Sequence, residues 1–379
     1  MSELASTALC VTAVEAVTPL GFDAQQTCAA IRAGVNRFAD HPFLVSMVTD
    51  PEIEEGEPLV ASLLSELDPD TEGSDRLLEL ALPAFKGLLA KAGFKRADLA
   101  KGGLLLSLPL PFGGPVATKD PKAPTSPKAP KVPDAGPDPL TPLKDRLGLK
   151  SLKLKKSCRL GHTGMASCIL EASKLLTSAE IEFCIVGGIE SYHETETLEA
   201  LDGGFRLKSA RAVDGFIPGE GAVFLLLETA GKAAARKAKP LGVLSEFGFG
   251  KETRNYASDL MSSGDGLRQA LQPALARPPK AGSPGRWVLC DMNGESYRAS
   301  EWGIVRTRLG EKIEPVVELT HPADCLGDMG AASTGVLIAY ALHAFHRGYA
   351  PAPEALIWNA SDDGARSAMV LSPVLQGKG

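Results

Sequence analysis

Residues 161–168 read Gly-His-Thr-Gly-Met-Ala-Ser-Cys and begin a segment in which apolar side chains recur with the spacing of a helix. An apolar run, residues 181–186, follows and ends in the pair Gly187-Gly188. We therefore predict a helix that starts at a tight turn and leads into a buried strand. His162 then stands at the N-terminal end of the helix, where the exposed N–H groups disfavour a positive charge. The imidazole of His162 is accordingly expected to be neutral.

The composition is that of an ordinary globular protein. Of the 379 residues, 44% are hydrophobic and 23% charged. The net charge of −6 argues against a nucleic-acid-binding protein, which is usually basic. Seven cysteines without paired spacing favour reduced thiols. We recognise no signal peptide and no apolar run of about 20 residues, the length needed to span a bilayer. These features predict a soluble cytoplasmic protein without membrane insertion.

Strand-like and helix-like patterns alternate along the chain. Asp23 is placed to cap a helix that runs through Ile31, and the helical pattern of residues 75–92 contains Pro83, which is expected to kink it. Gly330 precedes another apolar helical pattern. Strands are predicted at residues 8–14, 104–108, 181–186, 222–227, 287–290, 316–319 and 368–371. This alternation predicts a layered α/β fold with largely buried sheets.

One segment differs from the rest in composition. Residues 113–142 are dominated by Pro, Lys, Ala and Asp and contain almost no large apolar side chains. Such a segment gains too little from burial to offset its ordering entropy, so we interpret it as a mobile insertion within one domain. The basic residues that follow alternate with Leu152 and Leu154, as in an exposed strand.

Four stretches, in this order, resemble the β-ketoacyl synthase (ketosynthase) family of the thiolase superfamily. They are residues 18–21 (Thr-Pro-Leu-Gly), residues 161–191, residues 214–222 (Asp-Gly-Phe-Ile-Pro-Gly-Glu-Gly-Ala) and residues 327–332 (Gly-Asp-Met-Gly-Ala-Ala). The third, close to the family pattern DGFxxGEGA, is the most specific. The resemblance implies a thiolase-like fold, normally dimeric, in which two βαβαβαββ halves form five layers, α-β-α-β-α. We expect the halves at residues 1–229 and 230–379.

The chain departs from the family at its catalytic positions. Ketosynthases take an acyl group onto a cysteine and then decarboxylate a malonyl thioester with the help of two histidines. His162 aligns with that cysteine, Asn293 with the first histidine and Gly327 with the second. Asp362, in the turn at residues 361–364, takes the place of the family's gating phenylalanine. The resemblance therefore predicts no catalytic residue in this chain, and the positions become pocket candidates.

Each pocket candidate has two interpretations. His162 is either a buried residue that fills the former pocket or a neutral imidazole that binds a ligand or acts as a base. It does not replace the cysteine as an acyl carrier, because an acyl-imidazole is too labile to store an acyl chain. Cys325 is a relocated nucleophile paired with His162 or a structural cysteine, whereas Cys168 is interpreted as a packing residue. Asn293 is an oxyanion donor or a turn residue.

Two further sets complete the candidates. Asp362 is a turn residue that would also disfavour entry of an acyl chain, and Phe216 is a pocket candidate within the third motif. The basic run is a contact for the acidic surface or phosphopantetheine phosphate of an acyl carrier protein, or a solvated face. It comprises Lys150, Lys153, Lys155, Lys156 and Arg159.

Three functions remain open at this point. The first is a catalytically inactive partner or regulatory subunit in a fatty-acid, polyketide or related acyl-thioester pathway, reminiscent of the chain length factors, which lack the cysteine and pair with an active ketosynthase. The second is an acyltransferase or thioester-processing enzyme rebuilt around His162, Asn293 and Cys325. The third is a module that binds an acyl-thioester. No cofactor and no metal are expected, and the expected partners are a second copy, a related ketosynthase and an acyl carrier protein.

Overall fold

The computed structural model describes residues 4–46, 56–95, 97–111, 139–258, 260–279 and 282–374. Its strands are β1 (Leu9–Val17), β2 (Ala39–Ser46), β3 (Glu57–Ala61), β4 (Gly102–Leu108), β5 (Leu154–Arg159), β6 (Phe183–Ser191), β7 (Glu220–Thr229), β8 (Gly242–Lys251), β9 (Arg286–Cys290), β10 (Val316–Thr320), β11 (Ala355–Ala360) and β12 (Ala365–Pro373). Its helices are α1 (Ala24–Arg32), α2 (Gly73–Ala92), α3 (Leu140–Leu147), α4 (Gly164–Thr177), α5 (Thr195–Gly203), α6 (Ala230–Ala235), α7 (Asp265–Leu275), α8 (Ser296–Leu309), α9 (Ala323–Leu326) and α10 (Ser333–Arg347). Within these ranges, none of the helices has the length and apolar character required to cross a membrane.

The strands form two five-stranded units with the same topology. The first has the order β5-β4-β6-β7-β1 and the second the order β10-β9-β11-β12-β8. Numbered within each unit, both orders are 3-2-4-5-1, and in both the fifth strand is antiparallel to its two neighbours while the others are parallel. The units join where β1 pairs with β8. The fold is thus an internal duplication, which is the thiolase-like α/β fold.

The helices complete the layers around the two units. α4 and α10 lie between them and contact strands of both, whereas α2 covers the outer face of the first unit and α7 that of the second. The largest apolar cluster surrounds the central helices, and residues 333–342 of α10 are buried on every side. The two helices that begin at the sequence motifs of interest therefore start in the middle of the molecule.

The predicted strands and helices are confirmed. Asp23 caps α1 by accepting a hydrogen bond from the Gln26 N–H at 2.7 Å, and Pro83 lies inside α2. The strands β2, β3, β8 and β11 are not predicted. β8 contains three glycines, which weaken a strand pattern, but Gly248 and Gly250 lie directly against the backbone of α7, where no side chain would fit.

The insertion and the basic run are the two segments expected to be exposed. Of the proposed insertion, residues 113–138 lie outside the described residues, but residues 139–142 lead into α3, whose Leu140 and Leu143 are buried, so the segment predicted to be mobile is too long at that end. The basic run forms β5, as its alternation suggests.

Candidate functional site

Four loops converge at the start of the central helices. A short 3-10 turn carries His162 into α4, the loop from β9 to α8 carries Asn293, the loop from α9 to α10 carries Gly327 and Asp328, and the β11–β12 turn carries Asp362. A hydrogen bond from Thr334 Oγ1 to the His162 carbonyl, 3.0 Å, joins α10 to this turn. The structure thus brings the positions that the motifs single out to one place.

His162 forms an ion pair with Asp328. Its Nε2 lies 2.8 Å from Oδ1 and 3.1 Å from Oδ2 of that carboxylate, and the two side chains are 6% and 2% exposed. Burial alone would lower the pKa of His162, but the adjacent Asp328 carboxylate outweighs it and raises the pKa above the ordinary value. The raised pKa runs against the predicted neutral imidazole, because the Asp328 carboxylate favours the charged form.

Asp328 receives four donors. Besides His162, Asn293 Nδ2 lies 2.6 Å from its Oδ2, the Gly330 N–H donates to Oδ1 at 2.7 Å, and the Tyr192 hydroxyl donates to Oδ1 at 3.2 Å. Burial opposes ionisation, but His162 and these donors hold the pKa of Asp328 far below its usual range. Asp328 is therefore a carboxylate at the centre of the site.

The side-chain amide of Asn293 is already fully used. Its Nδ2 donates to Asp328 and, at 3.2 Å, to Glu295 Oε2, while its Oδ1 accepts the Glu295 N–H at 3.1 Å. An amide nitrogen has two hydrogens, and both point at carboxylates. Asn293 has no hydrogen left to donate to a thioester carbonyl in this arrangement.

Two buried arginines extend the site. Arg206 makes a two-pronged ion pair with Glu295, 2.8 and 2.9 Å, and binds Asp362 Oδ2 at 2.6 Å. Arg298 lies 3.2 Å from Asp362 Oδ1 and 3.5 Å from Asp291 Oδ2. All these side chains except Asp362, which is 34% exposed, are at most 5% exposed. Asp362 therefore marks where the cluster reaches solvent.

We call this cluster the buried ion network. It consists of His162, Arg206, Asp291, Asn293, Glu295, Arg298, Asp328 and Asp362. Arg298 Nη2 lies 3.5 Å from His162 Nε2; both groups are donors, so this contact is repulsive and tends to lower the pKa of His162. Four carboxyl groups surround these three basic side chains, and each basic side chain contacts at least one of them.

Gly327, at the position of the second family histidine, cannot carry a side chain. Its φ and ψ are +71° and −174°, a conformation essentially restricted to glycine. A Cβ there would lie 2.6 Å from the Ile217 carbonyl oxygen and 3.3 Å from the Gly219 nitrogen. The backbone around Gly327 thus leaves no room for a histidine side chain at position 327.

One small cavity among the described residues borders Asp328. The cavity that borders it, lined among others by Cys290, Gly327 and Ser333, has a volume of about 20 Å³. That is room for about one water molecule. The cavity does not accommodate an acyl chain.

The other predicted pocket residues divide into two groups. Phe216 is buried beside the network, with its ring 5.4 Å from the Tyr192 ring and 5.3 Å from the Arg206 guanidinium. Cys325 lies elsewhere, in the apolar core with its Sγ 3.9 Å from the Ile31 carbonyl oxygen, and burial raises the pKa of its thiol. The structure does not join Cys325 to His162, whose ring nitrogen contacts Asp328 and Arg298.

The basic run lies on β5 and the turn before it. Its lysines bind nearby groups of the chain: Lys153 Nζ donates to the Glu180 carbonyl at 2.7 Å, and Lys156 Nζ lies 3.6 Å from Glu171. Lys155 donates to the carbonyls of Lys150 and Leu152. These contacts leave the lysines at the surface, where they can meet either solvent or an acidic partner.

Five residues of the network were missed from the sequence. Asp291 and Glu295 flank Asn293, and Asp328 follows Gly327, so proximity to the motif positions was the available signal. Arg298, in α8, follows Glu295 by three residues and offered the same signal, whereas Arg206 had none because its loop meets the motifs only in the folded chain.

Comparisons with known proteins give structures but no close relatives. No family model matches the chain, and no curated protein matches it. A type II polyketide synthase acyl carrier protein in complex with its ketosynthase bound to the hexaketide is similar over 97% of this chain and 99% of that one, with 14% identity and a TM-score of 0.73. The ketosynthase from module 6 of the bacillaene synthase of Bacillus subtilis 168 is 15% identical, over 97% of this chain and 72% of that one, with a TM-score of 0.72. The ishigamide ketosynthase/chain length factor is 20% identical, over 97% and 100%, with a TM-score of 0.64.

These neighbours establish the fold. This chain shares the ketosynthase fold over nearly its whole length, and the resemblance found in the sequence is confirmed at the level of the fold. At identities of 14 to 20%, the chemistry of the neighbours does not transfer to this chain.

Proposed function

We propose that this protein is a non-condensing member of the ketosynthase fold that acts as a partner or regulatory subunit in a fatty-acid, polyketide or related acyl-thioester pathway. The observation that carries the proposal is the buried ion network, in which His162 is paired with Asp328 at the position of the nucleophile. Where a ketosynthase has a thiolate and two histidine donors, we infer that this chain has charged side chains that pair with one another.

The charges of the network also oppose the substrate of condensation. A malonyl group carries a carboxylate, and its decarboxylation produces an enolate, so both need uncompensated donors nearby. Here the cations Arg206 and Arg298 are already neutralised by Glu295, Asp362 and Asp291. An incoming anion would have to displace a buried carboxylate, which leaves an unpaired charge in a region of low dielectric.

The ketosynthase fold supports the role of a partner subunit. A ketosynthase-like chain without the nucleophile resembles the chain length factors, and one structural neighbour is described as a ketosynthase/chain length factor while another contains an acyl carrier protein. We therefore infer a related ketosynthase as the first partner and an acyl carrier protein, received at the basic run, as the second.

One observation favours a second candidate, an enzyme rebuilt around His162. A histidine oriented by a carboxylate is the arrangement of a general base, and Asp328 holds Nε2 in place, which leaves Nδ1 for a substrate. Against it, both amide hydrogens of Asn293 are occupied and Cys325 lies apart from the ring. Binding of an acyl-thioester without turnover is the third possibility.

Intact-protein mass spectrometry separates these functions. The protein is incubated with short and long acyl-thioesters and then with malonyl thioester, beside His162→Ala and a surface control, His346→Ala. The proposal predicts no acyl adduct and no condensation product in any sample, together with co-purification of a ketosynthase when the two are co-expressed. An adduct or product that His162→Ala abolishes and His346→Ala retains would establish the enzyme. A saturable non-covalent complex would establish the binding module.

A further inference from the structure

Two cysteines lie in contact between β5 and α4. Cys158 on β5 and Cys168 on α4 have their Sγ atoms 3.6 Å apart. Cys168 is buried and Cys158 is half-buried, so only one of the pair faces solvent. Among the described residues, no hydrogen bond joins any other two of the cysteines.

The two thiols differ in their chemistry. The hydrogen bond with Cys168 lowers the pKa of Cys158 and outweighs the burial that would raise it. The same hydrogen bond, together with burial, raises the pKa of Cys168. The more exposed residue of the pair thus carries the more acidic thiol and the buried residue the less acidic one, which is the arrangement of an attacking and a resolving cysteine.

We propose that Cys158 and Cys168 form a reversible dithiol–disulfide site that reacts with peroxides. The Cys158 thiolate attacks a peroxide oxygen, which breaks the O–O bond, gives a sulfenic acid and releases hydroxide. The Cys168 sulfur then attacks the Cys158 sulfur and forms the S–S bond, while the sulfenic oxygen leaves as water. Overall, two thiols are oxidised and one peroxide is reduced to two water molecules.

The geometry requires only local movement. The sulfur atoms are within van der Waals contact, so rotation of the side chains is the main change needed to approach bonding distance. The Cys158 side chain points from β5 toward α4, onto a face of the sheet, so pairing of the β5 backbone edge with another chain leaves the two thiols together. The disulfide would tie β5 to α4, and the intervening residues include His162. The proposal stands whether or not the protein condenses acyl groups.

Thiol counting on the native full-length chain tests the site. The reduced protein, with seven cysteines, is treated with hydrogen peroxide, and its thiols are then titrated after denaturation. We expect a fall from seven to five, return to seven with a dithiol reductant, and a peptide in which Cys158 is linked to Cys168. Cys158→Ser should keep its six thiols, whereas the control Cys325→Ala should lose two of its six.

Two further measurements keep the test decisive. In Cys168→Ala the resolving thiol is absent, so a sulfenic acid should accumulate at Cys158 and be trapped by a dione reagent. If that variant does not fold, peptide mapping of the oxidised wild-type protein alone decides the matter. A wild-type protein that retains seven thiols in excess peroxide, or a disulfide between any other cysteines, would overturn the proposal.

Discussion

The Nε2 atom of His162 lies 2.8 Å from Oδ1 of Asp328, and the pair occupies the start of α4, where a ketosynthase carries its nucleophile. Position 328 directly follows Gly327, which stands at the position of the second family histidine. The histidine at the one position and the carboxylate beside the other compensate each other electrostatically, which explains how a histidine is tolerated in a buried position.

The His162–Asp328 pair makes stability depend on pH. The pKa of His162 is raised, so its contribution is fully present below its ordinary value of 6.5 and is lost as pH rises through the folded-state pKa. The pKa of Asp328 is lowered, so its contribution is present above 3.8 and is lost only as pH falls through its much lower folded-state pKa. We therefore predict that the advantage of the wild-type chain over His162→Gln in free energy of unfolding is largest between about pH 4 and 6.5 and shrinks as the pH rises further, through the folded-state pKa of His162.

Urea denaturation of both proteins across that range measures this difference. The control is His346→Gln, which removes an exposed histidine of α10. This side chain lies outside the buried ion network, so His346→Gln should match the wild-type chain at every pH. A difference for His162→Gln that is constant or grows with rising pH would show that the imidazole is neutral in the folded chain.

The fold was predictable because it rests on local patterns. Periodicity gave most of the strands and the long helices, and the motif at residues 214–222 indicated the ketosynthase fold. The charge state of His162 was not predictable, because the sequence shows the helix terminus but not the approach of Asp328, 166 residues away. Arg206 was missed for the same reason, because only tertiary packing brings its loop to Glu295 and Asp362.

The backbone at Gly327 predicts a difference between two glycine substitutions. Gly348 also has a positive φ, +74°, but its ψ is 24° and no atom lies within 4 Å of the position that a Cβ would take. Gly348→Ala should therefore cost only about 1–2 kcal/mol, the usual penalty of the left-handed region. Gly327→Ala adds a contact with the Ile217 oxygen to a conformation that only glycine adopts, and should cost at least about 3 kcal/mol in chemical denaturation.

This cost also limits attempts to restore ketosynthase activity. His162→Cys alone should accept an acyl group at most, because the two donors remain absent. The triple variant His162→Cys, Asn293→His, Gly327→His should fail to fold, since a histidine is larger than the alanine already excluded. A folded triple variant, or equal losses for Gly327→Ala and Gly348→Ala, would refute the backbone argument.

A double-mutant cycle measures the strength of the buried ion network. Arg206→Met leaves Glu295 buried without its main partner and should cost about 3–5 kcal/mol, while adding Glu295→Met should recover part of that loss. The control is the exposed pair Arg146–Glu79, also 2.8 Å apart, whose coupling should be below about 1 kcal/mol. Equal coupling energies for both pairs would mean that the network does not hold the site together.

The strand β5 lies at one end of the ten-stranded sheet and carries Lys155, Lys156 and Arg159 of the basic run. The apolar strands β4 and β6 each have a neighbour on both sides. Among the described residues, β5 pairs with β4, and the side of β5 away from β4 is where another chain would add to the sheet.

We predict that β5 mediates association, as a C2 homodimer or with a related ketosynthase. Adjacent residues of a strand point their N–H groups in opposite directions, so of Lys155→Pro and Lys156→Pro one disrupts pairing with β4 and the other affects only the side of β5 that faces away from β4. The variant that keeps the pairing with β4, and therefore folds, should sediment as a monomer at micromolar concentration. Under the same conditions the wild-type chain should sediment as a dimer or bind its partner. Val317→Pro and Glu318→Pro, in β10 at the opposite end of the sheet, serve as controls and should leave association unchanged. A wild-type chain that stays monomeric and does not pair with a related subunit, or association that both β5 variants retain, would exclude this interface.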